Sequence, residues 1–121
     1  MSDLFGIIIN LTGFTKYKKI LLNSSFCNKI FLEKYNKIII DYLCKVDKIK
    51  IYYQNFEYQK LIPLKYSLDD NIKTLYIKMY NDMIQQKNEA LQQINDEFRN
   101  DFNSLIVFMK HVFEEYINSI I

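Results

Sequence analysis

The fold is decided by residues 67–121, which read SLDDNIKTLYIKMYNDMIQQKNEALQQINDEFRNDFNSLIVFMKHVFEEYINSII. This stretch contains no Gly and no Pro, and an apolar residue recurs every three or four positions. Apolar residues at that spacing fall on one face of an α-helix. We therefore predict a long C-terminal helical region that begins at Ser67, because Ser67-Leu68-Asp69-Asp70 places a hydroxyl acceptor at the N-cap and acids in the first turn.

The length of this region leaves two arrangements open. An unbroken helix would measure about 80 Å at about 1.5 Å per residue, whereas a compact chain of this size has a radius of gyration of about 14 Å. The region therefore either folds back as a helical hairpin or stays straight against a partner helix, as in a coiled coil. We favour a break near Asn100 to Ser104, where polar residues that suit turns are clustered.

A second helix is predicted from about Ser25 to Val46. Asn23-Ser24-Ser25 supplies an N-cap. A narrow polar stripe then recurs every four residues at Lys29, Glu33, Lys37, Asp41 and Lys45, and apolar residues fill most of the remaining surface. For residues 4–22 the short apolar runs fit a strand and a helix equally well, so that choice stays open.

Residues 48–62 predict a β-hairpin. Ile49-Lys50-Ile51-Tyr52-Tyr53 and Tyr58-Gln59-Lys60-Leu61-Ile62 are rich in β-branched and aromatic residues, with a polar segment between them. The resulting fold class is α+β and predominantly helical, in a single domain over residues 1–121. The alternative is an all-α fold in which a loop replaces the hairpin.

The charge distribution and the amino-acid composition indicate how the two halves of the chain interact and which source organisms to expect. The net charge is +2, but residues 1–66 carry 11 basic against 5 acidic residues, and residues 67–121 carry 5 against 9, so we expect the halves to attract one another within the fold. The abundance of Ile, Lys, Asn, Tyr and Phe, with single Ala and Arg residues, follows AT-rich codons and indicates a low-GC bacterium, a phage or other virus, or an AT-rich protist.

The expected location is the cytoplasm, or the host cytoplasm for a viral protein. No signal-peptide pattern is present, and no apolar run approaches the ~20 residues that cross a bilayer. Cys27 and Cys44 are expected on one helix, too far apart to form a disulfide, as two buried and reduced thiols.

Motifs for catalysis are absent from the sequence. His111 is the one histidine, and it is expected to be a solvated residue paired with a nearby glutamate, because a metal site needs three or four ligands. Neither glycine lies in a phosphate-binding loop. We predict no metal, no cofactor and no enzymatic activity.

The predicted function is non-enzymatic protein binding through helical faces. Residues 105–121 are apolar on more than one side, which is unusual for a free surface helix. We predict an interface with a partner or a second copy at Leu105, Met109, Val112, Phe113, Tyr116 and Ile120, and an interface with a basic or nucleic-acid-handling protein at Asp82, Glu89, Asp96 and Glu97. In a phage or virus, such a protein would act as a stoichiometric inhibitor of a host defence or nucleic-acid enzyme.

The alternative function is a small nucleic-acid-binding module. Lys16, Lys18 and Lys19 surround Tyr17, so cations for phosphates lie beside a ring for base stacking. A sequence pI of 8.4 and the near absence of Arg disfavour this alternative, since such modules usually have a pI above about 9.

Overall fold

The computed structural model describes residues 2–121, with side chains from Leu4 onward. Helices make up 92% of the described residues, which contain no strand. The predicted α+β class is therefore wrong, and the fold is all-α. The alternative named above has the right class, although helix rather than loop occupies residues 48–62.

The described residues form five α-helices, one 3-10 turn and one π-helical turn. They are α1 (Ser2–Leu11), a 3-10 turn (Thr15–Tyr17), α2 (Lys18–Leu22), α3 (Ser25–Phe56), a π-helical turn (Glu57–Leu61), α4 (Ile62–Lys65) and α5 (Asp70–Ile120).

The choice left open for residues 4–22 is resolved as helix. Helix α1 ends in a Schellman motif, in which Phe14 N–H donates to Ile9 C=O at 3.1 Å and Gly13 N–H donates to Asn10 C=O at 3.1 Å. Gly13 has φ +84°, and only glycine adopts this backbone conformation without strain. This turn directs the chain back so that α2 packs beside α1.

Helix α3 begins where the sequence predicts. The Oγ of Ser24 accepts the Cys27 N–H at 3.1 Å, which satisfies one of the unpaired donors of the first turn. The predicted end at Val46 is wrong, because the helix continues to Phe56.

The predicted β-hairpin at residues 48–62 is wrong, because these residues form the end of α3, the π-helical turn and the start of α4. The less exposed residues also recur in steps of four and three, the period of a helix packed on another helix. They are Tyr42, Val46, Ile49, Tyr53 and Phe56.

A π-helical turn joins α3 to α4 because of Pro63. Proline has no N–H for the carbonyl four residues earlier, so the ordinary α-helical ladder fails there. The wider turn compensates by letting Ile62 N–H donate to Glu57 C=O, five residues back.

Helix α5 starts later than predicted and is not broken. Asp69, rather than Ser67, caps it, since the Asp69 carboxylate accepts the Asn71 N–H at 2.8 Å, while the Ser67 hydroxyl accepts the Asp69 N–H at 3.2 Å. The predicted break near Asn100 to Ser104 is wrong. Its four polar residues are exposed along a continuous helix, and Phe102 stacks on Phe98 at a centroid distance of 6.4 Å.

The chain forms two compact units, of which the first, the core unit, comprises Met1–Ile40 and Phe98–Ile121. Its buried side chains come from α1, α2, the start of α3 and the end of α5. Phe113 lies at the centre, with ring centroids 5.9 Å from those of both Phe5 and Phe14. The buried set is Phe5, Ile8, Ile9, Leu21, Cys27, Phe31, Leu105, Met109, Phe113 and Ile117.

The second, the hairpin unit, comprises Asp41–Glu97. Here the later part of α3 lies antiparallel to the earlier part of α5. Tyr42 Oη donates to Asn95 Oδ1 at 2.9 Å, and Lys45 Nζ donates to Glu97 Oε2 at 3.0 Å. The single domain predicted from chain length stays a prediction, because both units share α3 and α5.

Candidate protein-interaction surfaces

Three of the six apolar residues predicted as an interface lie in the core unit's interior. Leu105, Met109 and Phe113 are at most 3% exposed, covered by α1, α2 and α3. A partner cannot reach them while the core unit stays folded. Val112 and Tyr116 are half-buried, and Ile120 is 50% exposed, so these three remain available at the surface.

Val112 and Tyr116 line a shallow groove between the start of α3 and the end of α5. The groove, of about 210 Å³, is completed by Phe26, Ile30, Glu115 and Ser119. Phe26 is 61% exposed, a large apolar area for the first turn of a helix. We call this the core-unit groove, and it brings together two of the predicted interface residues with an aromatic residue that sequence reasoning did not select.

The four predicted acidic residues divide into a group of three and a single one. Asp82, Glu89 and Asp96 are exposed and seven residues apart, so they form one ridge along α5. Gln85 donates to Glu89 at 3.2 Å and Gln92 to Asp96 at 3.0 Å, which orients two of these carboxylates. We call these three the acidic ridge. Glu97 is instead engaged by Lys45 within the hairpin unit.

The hairpin unit buries few of its apolar side chains and leaves many exposed. Its buried hydrophobic side chains are Leu61, Met83 and Ile94. Its large side chains at 38% exposure or more are Leu43, Ile51, Tyr52, Tyr58, Ile62, Tyr66, Leu68, Leu75, Ile77 and Tyr80. Two helices bury only one stripe of each other, and stable helical folds usually add further helices.

A groove of about 440 Å³ runs between α3 and α5 in this unit. Tyr53, Tyr80, Met83 and Ile84 supply its apolar side chains, and its polar rim consists of Lys50, Gln54, Glu57 and Lys87. We call this the hairpin groove. Sequence reasoning missed it, although the spacing of Ile77, Ile84 and Leu91, seven residues apart beside the buried stripe, is the signal that would have indicated a second apolar seam.

A third cleft lies in the core unit, with a volume of about 310 Å³. Ile38, Leu105 and Phe108 are its apolar side chains, and Lys34, Lys37, Asp101 and Ser104 complete it. The Lys34 ammonium lies 4.9 Å from the centroid of the Phe108 ring, a cation–π contact.

The residues of the alternative nucleic-acid site lie on the 3-10 turn and α2. Lys16 and Lys19 are exposed, and the Lys16 ammonium lies 5.8 Å from the centroid of the Tyr17 ring. Tyr17 is half-buried beside Phe14, at a centroid distance of 6.2 Å, and packs on the core. Lys18 lies against Gly6 of α1. Part of the Tyr17 ring is therefore packed within the fold, which leaves less of it available to stack on a nucleic-acid base.

The titratable side chains of the described residues form no metal-binding cluster. Among the described residues, no group of three or more His, Cys, Asp or Glu side chains is arranged to hold a metal ion. His111 is exposed, with its Nδ1 3.9 Å from Glu114 Oε2. Burial raises the pKa of the Cys27 thiol, despite its hydrogen bond with Ser24. Cys44 is exposed, contrary to the expectation of two buried thiols.

Within the described part of the chain, no helix is both long and apolar enough to cross a membrane.

No protein-family model, no curated protein and no solved structure matches this chain.

Proposed function

We propose that this chain is a non-enzymatic protein-interaction module that binds through the hairpin groove. The observation that carries the proposal is the uncovered apolar floor of a two-helix hairpin, where Tyr80 is 38% exposed and Ile84 is half-buried beside it. Burying such side chains is worth roughly 25 cal/mol per Å² of apolar surface removed from water.

The shape of the hairpin groove favours a helix as the bound element. Two antiparallel helices offer a third helix a seam of apolar residues at heptad spacing, which is the packing found in helical bundles. Along α5, Ile77, Ile84 and Leu91 prolong the floor over about 21 Å, given a rise of about 1.5 Å per residue. That length accommodates four turns of a bound helix.

The acidic ridge supports a finer form of the proposal, in which a basic protein binds α5 as well. Three carboxylates spaced about 10.5 Å apart by the helix rise attract a basic surface before contact is made. A basic protein that handles nucleic acid, inhibited by occlusion of its charged surface, has the matching chemistry.

A complex-size measurement in extracts of the native cell tests the proposal. We expect the chain to elute at a size larger than that of a single chain, and Ile84→Asp to shift it to the size of a single chain, because a buried unpaired carboxylate opposes binding. Lys78→Asp is the control, since Lys78 is exposed and lies about 200° around α5 from Tyr80. Identical elution of the three proteins would refute the proposal.

A further inference from the structure

The hairpin groove carries opposite charges at its two ends. The hairpin groove is lined by Lys50, Tyr53 and Gln54 of α3, by Glu57 of the π-helical turn, and by residues 80–87 of α5. Because α3 and α5 run antiparallel here, Lys50 and Lys87 lie toward one end of the groove, and Glu57 and Tyr80 lie toward the other. One end of the groove is basic and the other is acidic, about 10.5 Å apart for seven residues of helix rise.

Among the described residues, these three charged side chains form no ion pair. The ion pairs found among the described residues are those of Lys45 with Asp41 and Glu97, and of His111 with Glu114. Lys50 and Glu57 are exposed and Lys87 is half-buried. Rim charges that flank an apolar floor and lack internal partners are arranged as at the edge of an interface.

A two-fold rotation matches the hairpin groove to itself. In an isologous dimer, residue i of one copy contacts residue j of the other, and j contacts i in turn. Turning a second copy end for end places its acidic end against the basic end of the first, and the reverse contact forms at the same time. The same rotation brings the two apolar floors together as a four-helix bundle.

We propose that the hairpin groove is covered by the hairpin groove of a second copy, with Glu57 of each chain lying against Lys50 and Lys87 of the other. This rests on the proposed function, because it names the occupant of the same groove. A second copy carries the complementary charges by symmetry. A helix of another protein would need its own basic and acidic residues at matching positions.

Charge exchange between two variants tests the pairing. Lys50→Glu/Lys87→Glu makes the groove rim wholly acidic, and Glu57→Lys makes it wholly basic, so each variant alone should self-associate at least about tenfold more weakly than the natural chain. An equal mixture should recover association, because both contacts of the mixed dimer then join opposite charges. Sedimentation equilibrium between about 1 μM and about 1 mM covers the relevant range of Kd.

The matched control is Lys48→Glu/Lys78→Glu, which reverses two exposed lysines away from the hairpin groove. It should associate like the natural chain. A monomeric natural chain across the whole range, unchanged association of the rim variants, or a mixture that fails to recover would each overturn the dimer. A monomer that still forms a larger complex in the cell extract, lost with Ile84→Asp, would overturn the dimer and leave the proposed function standing.

Discussion

Lys45 on α3 lies 3.0 Å from the Oε2 of Glu97 on α5, and the same ammonium lies 3.0 Å from Asp41 one turn earlier on its own helix. This bridge and the Tyr42–Asn95 hydrogen bond join the later part of α3 to α5 within the hairpin unit. The hairpin groove lies between the same two helices.

The bridge should weaken with salt. Glu97→Gln removes one of its charges, and we predict a small loss of stability in urea unfolding at low ionic strength. The loss should shrink in about 1 M salt, where the Debye length falls to about 3 Å. Asp96→Gln, at an exposed neighbour outside the bridge, is the control. A loss that is independent of salt would show that Glu97 acts through packing.

The bridge should also fail at alkaline pH. Hydrogen bonds to Asp41 and Glu97 raise the pKa of Lys45 above its ordinary value of 10.5. A raised pKa stabilises the folded state fully below that ordinary value, and the stabilisation disappears as pH rises through the higher folded value. The difference in urea midpoint between the natural chain and Lys45→Met should therefore be constant near neutrality and decline above pH 10.5. Lys48→Met, at an exposed lysine outside the bridge, is the control, and a decline shared equally by the two variants would contradict the assignment.

The end of α5 should contribute to stability through Phe113 rather than through Ile120. Phe113 is fully buried among the rings of Phe5 and Phe14, so Phe113→Ala should cost about 3–5 kcal/mol. Ile120→Ala should change stability by no more than about 0.5 kcal/mol, because half of that side chain is already exposed. Equal losses of unfolding free energy in the two variants, measured by chemical denaturation, would show that Phe113 is not a core residue.

Removal of the α3 cap gives a local test of the helix start. Ser24→Ala should destabilise the chain by about 1 kcal/mol, because the Cys27 N–H loses its acceptor. Ser25→Ala should have little effect, since Ser25 is exposed and begins the helix without a cap bond of its own. A larger loss of stability in Ser25→Ala than in Ser24→Ala would show that Ser25 is the N-cap residue instead.

The two cysteines should differ in reactivity. Cys44 is exposed, and Cys27 is buried with its pKa raised, so a thiol reagent at neutral pH should modify Cys44 at once and Cys27 only after unfolding. Peptide mapping after brief labelling distinguishes the two sites. Rapid labelling of Cys27 in the native protein would show that the core unit opens readily.

Local sequence signals located the two long helices and failed where tertiary packing decides. The stripe in residues 67–121 and the Ser24 cap correctly predicted α5 and the start of α3. Residues 48–62 misled because Ile and Tyr favour strands in isolation, while the helical spacing of Ile49, Tyr53 and Phe56 against α5 prevailed. In a chain so rich in Ile and Tyr, their presence alone says little about local conformation.

The interface residues show a different limit of sequence reasoning. An apolar helical stripe looks the same whether α1 covers it or a partner does, so Leu105, Met109 and Phe113 could not be distinguished from true surface residues. The polar segment near Asn100 resembled a turn, but its polar side chains are exposed along a continuous helix. The hairpin groove depends on residues from two distant segments, and no local pattern joins them.

Site-specific photo-cross-linking in the native cell tests most directly whether the hairpin groove is the binding surface. A photoreactive residue in place of Tyr80 reports on the groove, and one in place of Lys78 reports on the opposite side of the same helical turn. We predict a discrete adduct from position 80 and none from position 78, with twice the chain mass if the partner is a second copy. Equal adduct patterns at both positions, or none at either, would contradict binding through this groove.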